Sequence, residues 1–135
     1  MGMAPERPHV VVVDDAEELR TLFAAILGEA GCRCTILAAA PSVAELVRIE
    51  PDALVLDLLL GQDEDASWNL VEAMRTGPHP RLRSIPVIVC SAATPLLLRL
   101  DDHFAEMGVV PVSKPFDLDD FLATLADLLR TDSSP

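Results

Sequence analysis

Four short apolar runs, rich in β-branched residues, recur along the chain, and a polar side chain follows each of them. Unbroken apolar runs of this length, without alternating polar residues, are typical of strands buried on both faces of a parallel sheet. The runs and the polar residues at their carboxyl ends are Val10–Val13 with Asp14 and Asp15, Ala53–Leu56 with Asp57, Val87–Cys90 with Ser91, and Val109–Ser113 with Lys114.

The whole sequence predicts five β-α units in one domain that covers residues 9–130. Gly31 is placed to end the first helix. Residues 1–8 and 131–135 are predicted to be disordered tails. Because βαβ crossovers are right-handed, the predicted fold class is α/β, a three-layer doubly wound (βα)5 sandwich around a five-stranded parallel sheet. The strands are predicted near residues 9–14, 33–38, 52–57, 86–91 and 109–113, and the helices near 16–30, 42–49, 67–76, 94–107 and 118–130.

The polar residues that follow the strands are predicted to lie together. Parallel strands bring their carboxyl ends to one edge of the sheet, which is where open α/β sheets bind ligands. The three aspartates Asp14, Asp15 and Asp57 favour a hard divalent cation, Mg²⁺ above all. Carboxylates, a metal ion, a lysine and a hydroxyl group suit phosphoryl transfer, in which an aspartate can be the nucleophile. The alternative is that one residue of the pair, and Ser91, simply cap the helices that follow them.

Lys114 is the only lysine among ten basic residues. The lysine ammonium is a compact point charge, whereas the arginine guanidinium is a planar fork with a delocalised charge. A point charge suits a single phosphate or carboxylate oxygen. Chance in an arginine-biased composition is the alternative explanation, and the three aspartates weigh against it.

In this order and spacing, these residues resemble the receiver domain of the two-component response-regulator family, from about His9 to about Leu129. The resemblance implies the flavodoxin-like receiver fold, with strand order 2-1-3-4-5. It also implies that Asp57 accepts a phosphoryl group from a histidine kinase or a histidine phosphotransfer protein. The chain would then signal through a phosphorylation-dependent protein interaction or a phosphorelay, and would catalyse only its own phosphorylation and dephosphorylation rather than act as an enzyme on other substrates.

The resemblance also assigns a role to each site residue. Asp15 and Asp57 would bind Mg²⁺, or Mn²⁺, together with the backbone carbonyl of Leu59, and Asp14 would act mainly through water. Lys114 would pair with the phosphoryl oxygens, and the Ser91 hydroxyl would hydrogen-bond to one of them.

The sequence departs from the family pattern at three places, and two of them, the loop over residues 61–66 and Pro111, favour a second hypothesis. The loop over residues 61–66 is longer than usual and carries extra acids, and Leu59 stands where the family often has a polar side chain. Pro111 occupies the place of the usual switch aromatic, and the chain contains no tyrosine. The alternative is therefore a receiver-like protein-interaction module whose output does not depend on phosphorylation.

The composition of the chain limits which binding partners and which cellular location are expected. A net charge of −12 argues against direct DNA binding and against anionic membranes. The chain has neither an apolar run of roughly 18 residues nor a basic signal segment, so a cytoplasmic protein is expected, with Cys32, Cys34 and Cys90 reduced. The alanine- and arginine-rich, lysine-poor composition suggests a bacterial source. No effector sequence follows the last predicted helix, which predicts a single-domain regulator with an unknown downstream protein target.

The leucines at positions 96–98 and 100 offer an apolar surface, consistent with a homodimer through the fourth helix, the fifth strand and the fifth helix.

Overall fold

The chain is described here by a computed structural model over residues 7–57, 64–91, 101–113 and 117–133. The strands are β1 (His9–Val13), β2 (Arg33–Leu37), β3 (Ala53–Asp57), β4 (Val87–Ser91) and β5 (Val109–Ser113). The helices are α1 (Glu17–Glu29), α2 (Val43–Ile49), α3 (Glu64–Thr76), α4 (Pro80–Ser84), α5 (Asp101–Met107) and α6 (Leu118–Ser133).

All five strands form one sheet in the order β2-β1-β3-β4-β5, and every neighbouring pair is parallel. The prediction of a doubly wound parallel sheet is therefore confirmed, as is the strand order. β1 and β3 lie next to each other at the centre, with Val13 opposite Leu56. The polar residues after these two strands thus reach the same edge of the sheet.

The central strands divide their side chains between two apolar layers, which makes the fold three layers deep. Val10 and Val12 of β1 pack on one face with Phe23 of α1 and Phe121 of α6. Their neighbours in the strand point to the other face, where the layer includes α2, α3 and α4 side chains. Side chains alternate across a strand, so a run of consecutive valines fills both layers.

A local sequence signal sets the carboxyl end of α1. Gly31 has φ of 86°, a left-handed conformation that glycine adopts without a Cβ penalty. Its N–H donates to the carbonyl of Gly28, and the Cys32 N–H donates to the carbonyl of Leu27. These two bonds form a Schellman motif, as the glycine in the sequence predicted.

Two parts of the structure differ from the prediction. The stretch between the predicted helix 67–76 and the predicted strand 86–91, where Gly77, Pro78 and Pro80 predict a linker, contains α4. Pro80 is pre-organised for a first helical position, and Leu82 is buried in the core. α6 runs to Ser133 rather than ending near residue 130, so the predicted C-terminal tail is partly helical. No glycine or proline interrupts residues 118–133, so nothing in this stretch breaks the helix.

At the other end of the chain, the predicted N-terminal tail also takes part in the fold. The backbone carbonyl of Pro8 accepts a hydrogen bond from the Arg33 N–H, and the carbonyl of Arg7 accepts one from the Arg33 side chain. The predicted helix 94–107 is seen from Asp101 onward, and the leucines at 96–98 and 100 lie outside the described residues. Within the described part of the chain, every helix is too short or too polar to cross a bilayer.

Candidate functional site

Asp14, Asp15 and Asp57 come together at the carboxyl edge of the sheet, as the sequence predicted. One carboxylate oxygen from each lies within 4.8 Å of the other two. Asp14 and Asp57 are only 2% and 9% exposed, whereas Asp15 is open to solvent. The result is a group of acidic oxygens with one accessible side.

Hydrogen bonds hold both the backbone and the side chain of Asp14. Its N–H donates to the carbonyl of Leu37 in β2 at 3.0 Å, and its carbonyl accepts from Nη1 of Arg20 at 3.0 Å. The Oδ1 atom accepts from the N–H of Ala16 at 2.9 Å. Ala16 is the N-cap residue of α1 and makes no side-chain cap bond. Ala16, rather than Asp14 or Asp15, therefore occupies the N-cap position of α1, which differs from the alternative prediction for the pair.

Asp57 is the last residue of β3 and pairs in register with Cys90 of β4. Its backbone carbonyl accepts a hydrogen bond from the hydroxyl of Ser67, at 2.5 Å. Ser67 lies in the first part of α3 and is completely buried. The role of Ser67 was not predicted, because nothing about a single small polar residue ten positions after the aspartate indicates where its hydroxyl points.

The three carboxylates fit a small divalent cation. Charged carboxylate oxygens are the ligands that hard cations such as Mg²⁺ prefer. Two oxygens bound to one Mg²⁺ are at most about 4.2 Å apart, because each Mg–O bond is about 2.1 Å long. Separations of up to 4.8 Å therefore suit direct binding by some of the carboxylates, with another one shifting inward or binding through water.

The surrounding charge also favours a cation. The first turn of α1 carries Glu17 and Glu18, and the first turn of α6 carries Asp119 and Asp120. Both helix N-termini face the carboxyl edge of the sheet, since the helices run antiparallel to the strands. Clustered negative charge around a cleft attracts cations and raises their local concentration.

The remaining predicted site residues lie on the same edge or outside the described residues. Ser91 ends β4, and its backbone pairs with Ser113, the last residue of β5. Lys114 follows Ser113 in the sequence, but it and Leu59 are outside the described residues. Pro111 lies in β5 opposite Val89. β5 is an edge strand, where a residue without a backbone N–H is tolerated.

Comparison with solved structures identifies the fold. The signal receiver domain of an HD domain-containing protein from Pseudomonas fluorescens is 18% identical, with a TM-score of 0.78, and the match covers 98% of this chain and 93% of that one. The chemotaxis response regulator CheY4 of Vibrio cholerae is 20% identical, with a TM-score of 0.74 and coverage of 90% and 98%. The receiver domain of the sensor histidine kinase PA1611 from Pseudomonas aeruginosa is 21% identical, with a TM-score of 0.70 and coverage of 92% and 98%.

Comparison of sequences gives a weaker match. The chain is 30% identical over 106 residues to protein-glutamate methylesterase/protein-glutamine glutaminase 1 of Anaeromyxobacter dehalogenans. This match covers 78% of the chain but only 28% of the length of that protein. No protein-family model matches the sequence.

Together these comparisons confirm the predicted resemblance: the chain has the flavodoxin-like fold of response-regulator receiver domains. The structure of the PA1611 receiver domain is described with a magnesium ion coordinated in its active-site cleft. In the present chain, the three aspartates form a candidate site for such an ion.

Proposed function

We propose that this chain is a phosphoacceptor response regulator in which Asp57 receives a phosphoryl group in a Mg²⁺-dependent reaction. The observation that supports this most is the group of three carboxylates, within 4.8 Å of one another, at the carboxyl ends of two adjacent strands in a receiver fold. A structural aspartate at a strand end has no need of two further carboxylates beside it, because like charges this close repel unless a cation is shared.

In this proposal each described residue has a distinct task. The Asp57 carboxylate attacks the phosphorus atom and forms an acyl phosphate, and the donor leaves with the former bond's electron pair. Asp15, which is exposed, and Asp57 contribute oxygens to the ion, while Asp14 is fixed by the Ala16 N–H and acts mainly through water. When bound, Mg²⁺ supplies charge neutralisation for the incoming phosphoryl oxygens.

Ser91 and Lys114 complete the proposed site by their positions. Ser91 ends β4 directly beside the strand of Asp57, and Lys114 follows the residue that pairs with Ser91. The hydroxyl and the ammonium are assigned to the phosphoryl oxygens, and the backbone carbonyl of Leu59 to the ion. The added group brings about −1.5 to −2 charges to this edge, and a histidine kinase or histidine phosphotransfer protein is the proposed donor. The readout is a downstream protein that distinguishes the two charge states, or a phosphorelay.

The test is phosphorylation by a small-molecule donor. Purified protein is incubated with acetyl phosphate, with and without Mg²⁺, and resolved on a phosphate-affinity gel. Asp57→Asn removes the acceptor. Glu72→Gln, an exposed acid on α3, is the matched control. We expect a shifted band that requires Mg²⁺, is absent in Asp57→Asn and persists in Glu72→Gln.

Two results would count against the proposal. A shifted band in Asp57→Asn would mean that another residue is the acceptor. No shift in a folded wild-type protein would favour the alternative, a receiver-like interaction module that works without phosphorylation.

A further inference from the structure

Ser67 is one of three buried polar or charged residues in the described part of the chain, and the other two are Asp14 and Asp57. Burying a hydroxyl is costly unless it is hydrogen-bonded. Two of these three residues are candidate ligands, and the third donates its hydrogen bond to the backbone of one of them. The three buried polar side chains thus form one connected arrangement at the carboxyl edge of the sheet.

The bond from Ser67 reaches the main chain of Asp57 at the last residue of β3, one position beyond the last β1–β3 pair, which joins Val13 to Leu56. In β4, Cys90 is the register partner of Asp57. A buried carbonyl without a partner would carry a large desolvation penalty. The Ser67 hydroxyl donates to this carbonyl from ten residues further along the chain.

Fixing this carbonyl has a geometric consequence. The carbonyl belongs to the peptide plane between residues 57 and 58, so its direction sets the ψ angle of Asp57 and the path on which the chain leaves β3. The same bond links the last residue of β3 to the first part of α3.

We infer that Ser67 is a positioning residue that holds the Asp57 backbone in the geometry needed for Mg²⁺ and for phosphoryl transfer. This inference rests on the proposed function and names a residue that this function does not itself require. Ser67 touches neither the ion nor the phosphoryl group. It acts through the orientation of Asp57.

The test compares Ser67→Ala and Ser67→Thr with Thr76→Ala. The control lies on the same helix, where the Thr76 hydroxyl also donates to a backbone carbonyl, that of Glu72, but far from the aspartates and exposed. Trp68 is the only tryptophan and adjoins Ser67, so its fluorescence can report Mg²⁺ binding. The readouts are the Mg²⁺ concentration for half-maximal fluorescence change, the rate of phosphorylation by acetyl phosphate at saturating Mg²⁺, and the urea midpoint.

We expect Ser67→Ala to raise the half-saturating Mg²⁺ concentration by about tenfold, the effect of losing one hydrogen bond that orders the site. The rate at saturating Mg²⁺ should fall less, because the bound ion itself then helps to hold the Asp57 carboxylate in place. Ser67→Thr keeps the hydroxyl and should keep the Mg²⁺ affinity, even where its extra methyl group lowers the urea midpoint. Thr76→Ala should leave both site readouts unchanged.

The outcomes separate this inference from the proposed function. If Ser67→Ala binds Mg²⁺ and accepts phosphate like the wild type, Ser67 has only a structural role and the inference is wrong, while the proposed function stands. If the wild type accepts no phosphate but its Mg²⁺ affinity still depends on the Ser67 hydroxyl, the proposed function is wrong and the positioning role stands. A wild type that does not respond to Mg²⁺ would overturn both.

Discussion

Arg75 and Met107, 32 positions apart in the sequence, are joined by a hydrogen bond of 2.7 Å from the arginine Nε to the methionine carbonyl. The same guanidinium donates to the carbonyls of Leu82 and Ile85 at 3.0 and 2.9 Å, and to that of Gly108 at 3.4 Å. One side chain at the end of α3 therefore ties together α4, the approach to β4 and the junction between α5 and β5.

We predict that Arg75→Ala lowers the free energy of unfolding by about 2–3 kcal/mol, because several carbonyls lose a charged donor at once. Arg75→Lys should recover less than half of this loss, since an ammonium cannot reproduce the planar fork that reaches three segments. Urea unfolding followed by Trp68 fluorescence measures both values. Arg83→Ala is the control, because Arg83 is exposed and makes no ion pair among the described residues, and its effect should stay within about 0.5 kcal/mol. Equal losses for Arg75→Lys and Arg83→Ala would contradict this role.

His9 is predicted to make stability depend on pH. Its ring Nε2 lies 2.6 Å from the hydroxyl of Thr35. Burial, and next the positive charge of Arg33, lower the pKa of His9 below its ordinary value of 6.5, although the Asp52 carboxylate partly opposes them. The unfolded chain therefore takes up this proton more readily than the folded one. The contribution of His9 to stability is fully present above about pH 6.5 and is lost as the pH falls through the folded pKa.

The measurement is the free energy of unfolding at about pH 7.5 and about pH 5.5 for the wild type and for His9→Asn. The wild type should lose more stability between the two pH values than the variant, which has no titrating group at position 9. The other two histidines are common to both proteins and cancel in the comparison. An equal or smaller loss in the wild type would show that His9 is not held in its neutral form.

The parts of the fold that could be predicted from sequence are those fixed by local pattern. The unbroken valines of β1 and the glycine after α1 each determine their structure within a few residues, and both predictions are confirmed. The meeting of three aspartates followed from one further rule, that parallel strands end at one edge. The strand order came from the family resemblance, because apolar runs do not specify their neighbours.

Interactions between distant positions were not predictable in this way. The bond from Ser67 to the Asp57 carbonyl depends on the direction of one hydroxyl, and the contacts of Arg75 depend on three segments that a linear pattern does not bring together. α4 was missed for a different reason. Gly77 and Pro78 before it, together with Pro80, favoured a linker, although Pro80 is also a signal for the start of a helix.

The cysteines are predicted to be slow to react in the folded protein. All three are thiols rather than halves of disulfides. Burial raises the pKa of Cys32 and of Cys34, the latter also through the neighbouring Cys32. Because the thiolate is the reactive form, we expect a thiol-specific reagent at about pH 8 to react more than about tenfold slower than with the urea-unfolded chain. Cys34, the less buried of the two, should react before Cys32, and Cys34→Ser should remove the faster phase. Rapid labelling of all three thiols in the native protein would contradict this expectation.

Binding of Mg²⁺ to the aspartates should also appear as added stability, independently of any phosphorylation. An ion that binds only the folded state adds RT ln(1 + [L]/Kd), about 2.7 kcal/mol at one hundred times Kd. Asp57→Asn and Asp15→Asn should each lose most of this increment. Asp14→Asn should lose less of it, because Oδ1 of Asp14 is already engaged by the Ala16 N–H and an amide oxygen can accept the same bond.

The comparison is made by urea unfolding in MgCl₂ and in KCl of equal ionic strength, so that general screening of the −12 charge cancels. Glu72→Gln, which removes an acid far from the site, should retain the full Mg²⁺ increment. If Asp57→Asn were stabilised by Mg²⁺ as much as the wild type, the ion would be binding elsewhere, and the three carboxylates would be a source of repulsion rather than a metal site. If instead Asp57→Asn and Asp15→Asn lose more of the Mg²⁺ increment than Asp14→Asn does, this equilibrium measurement alone establishes how the three carboxylates share the ion.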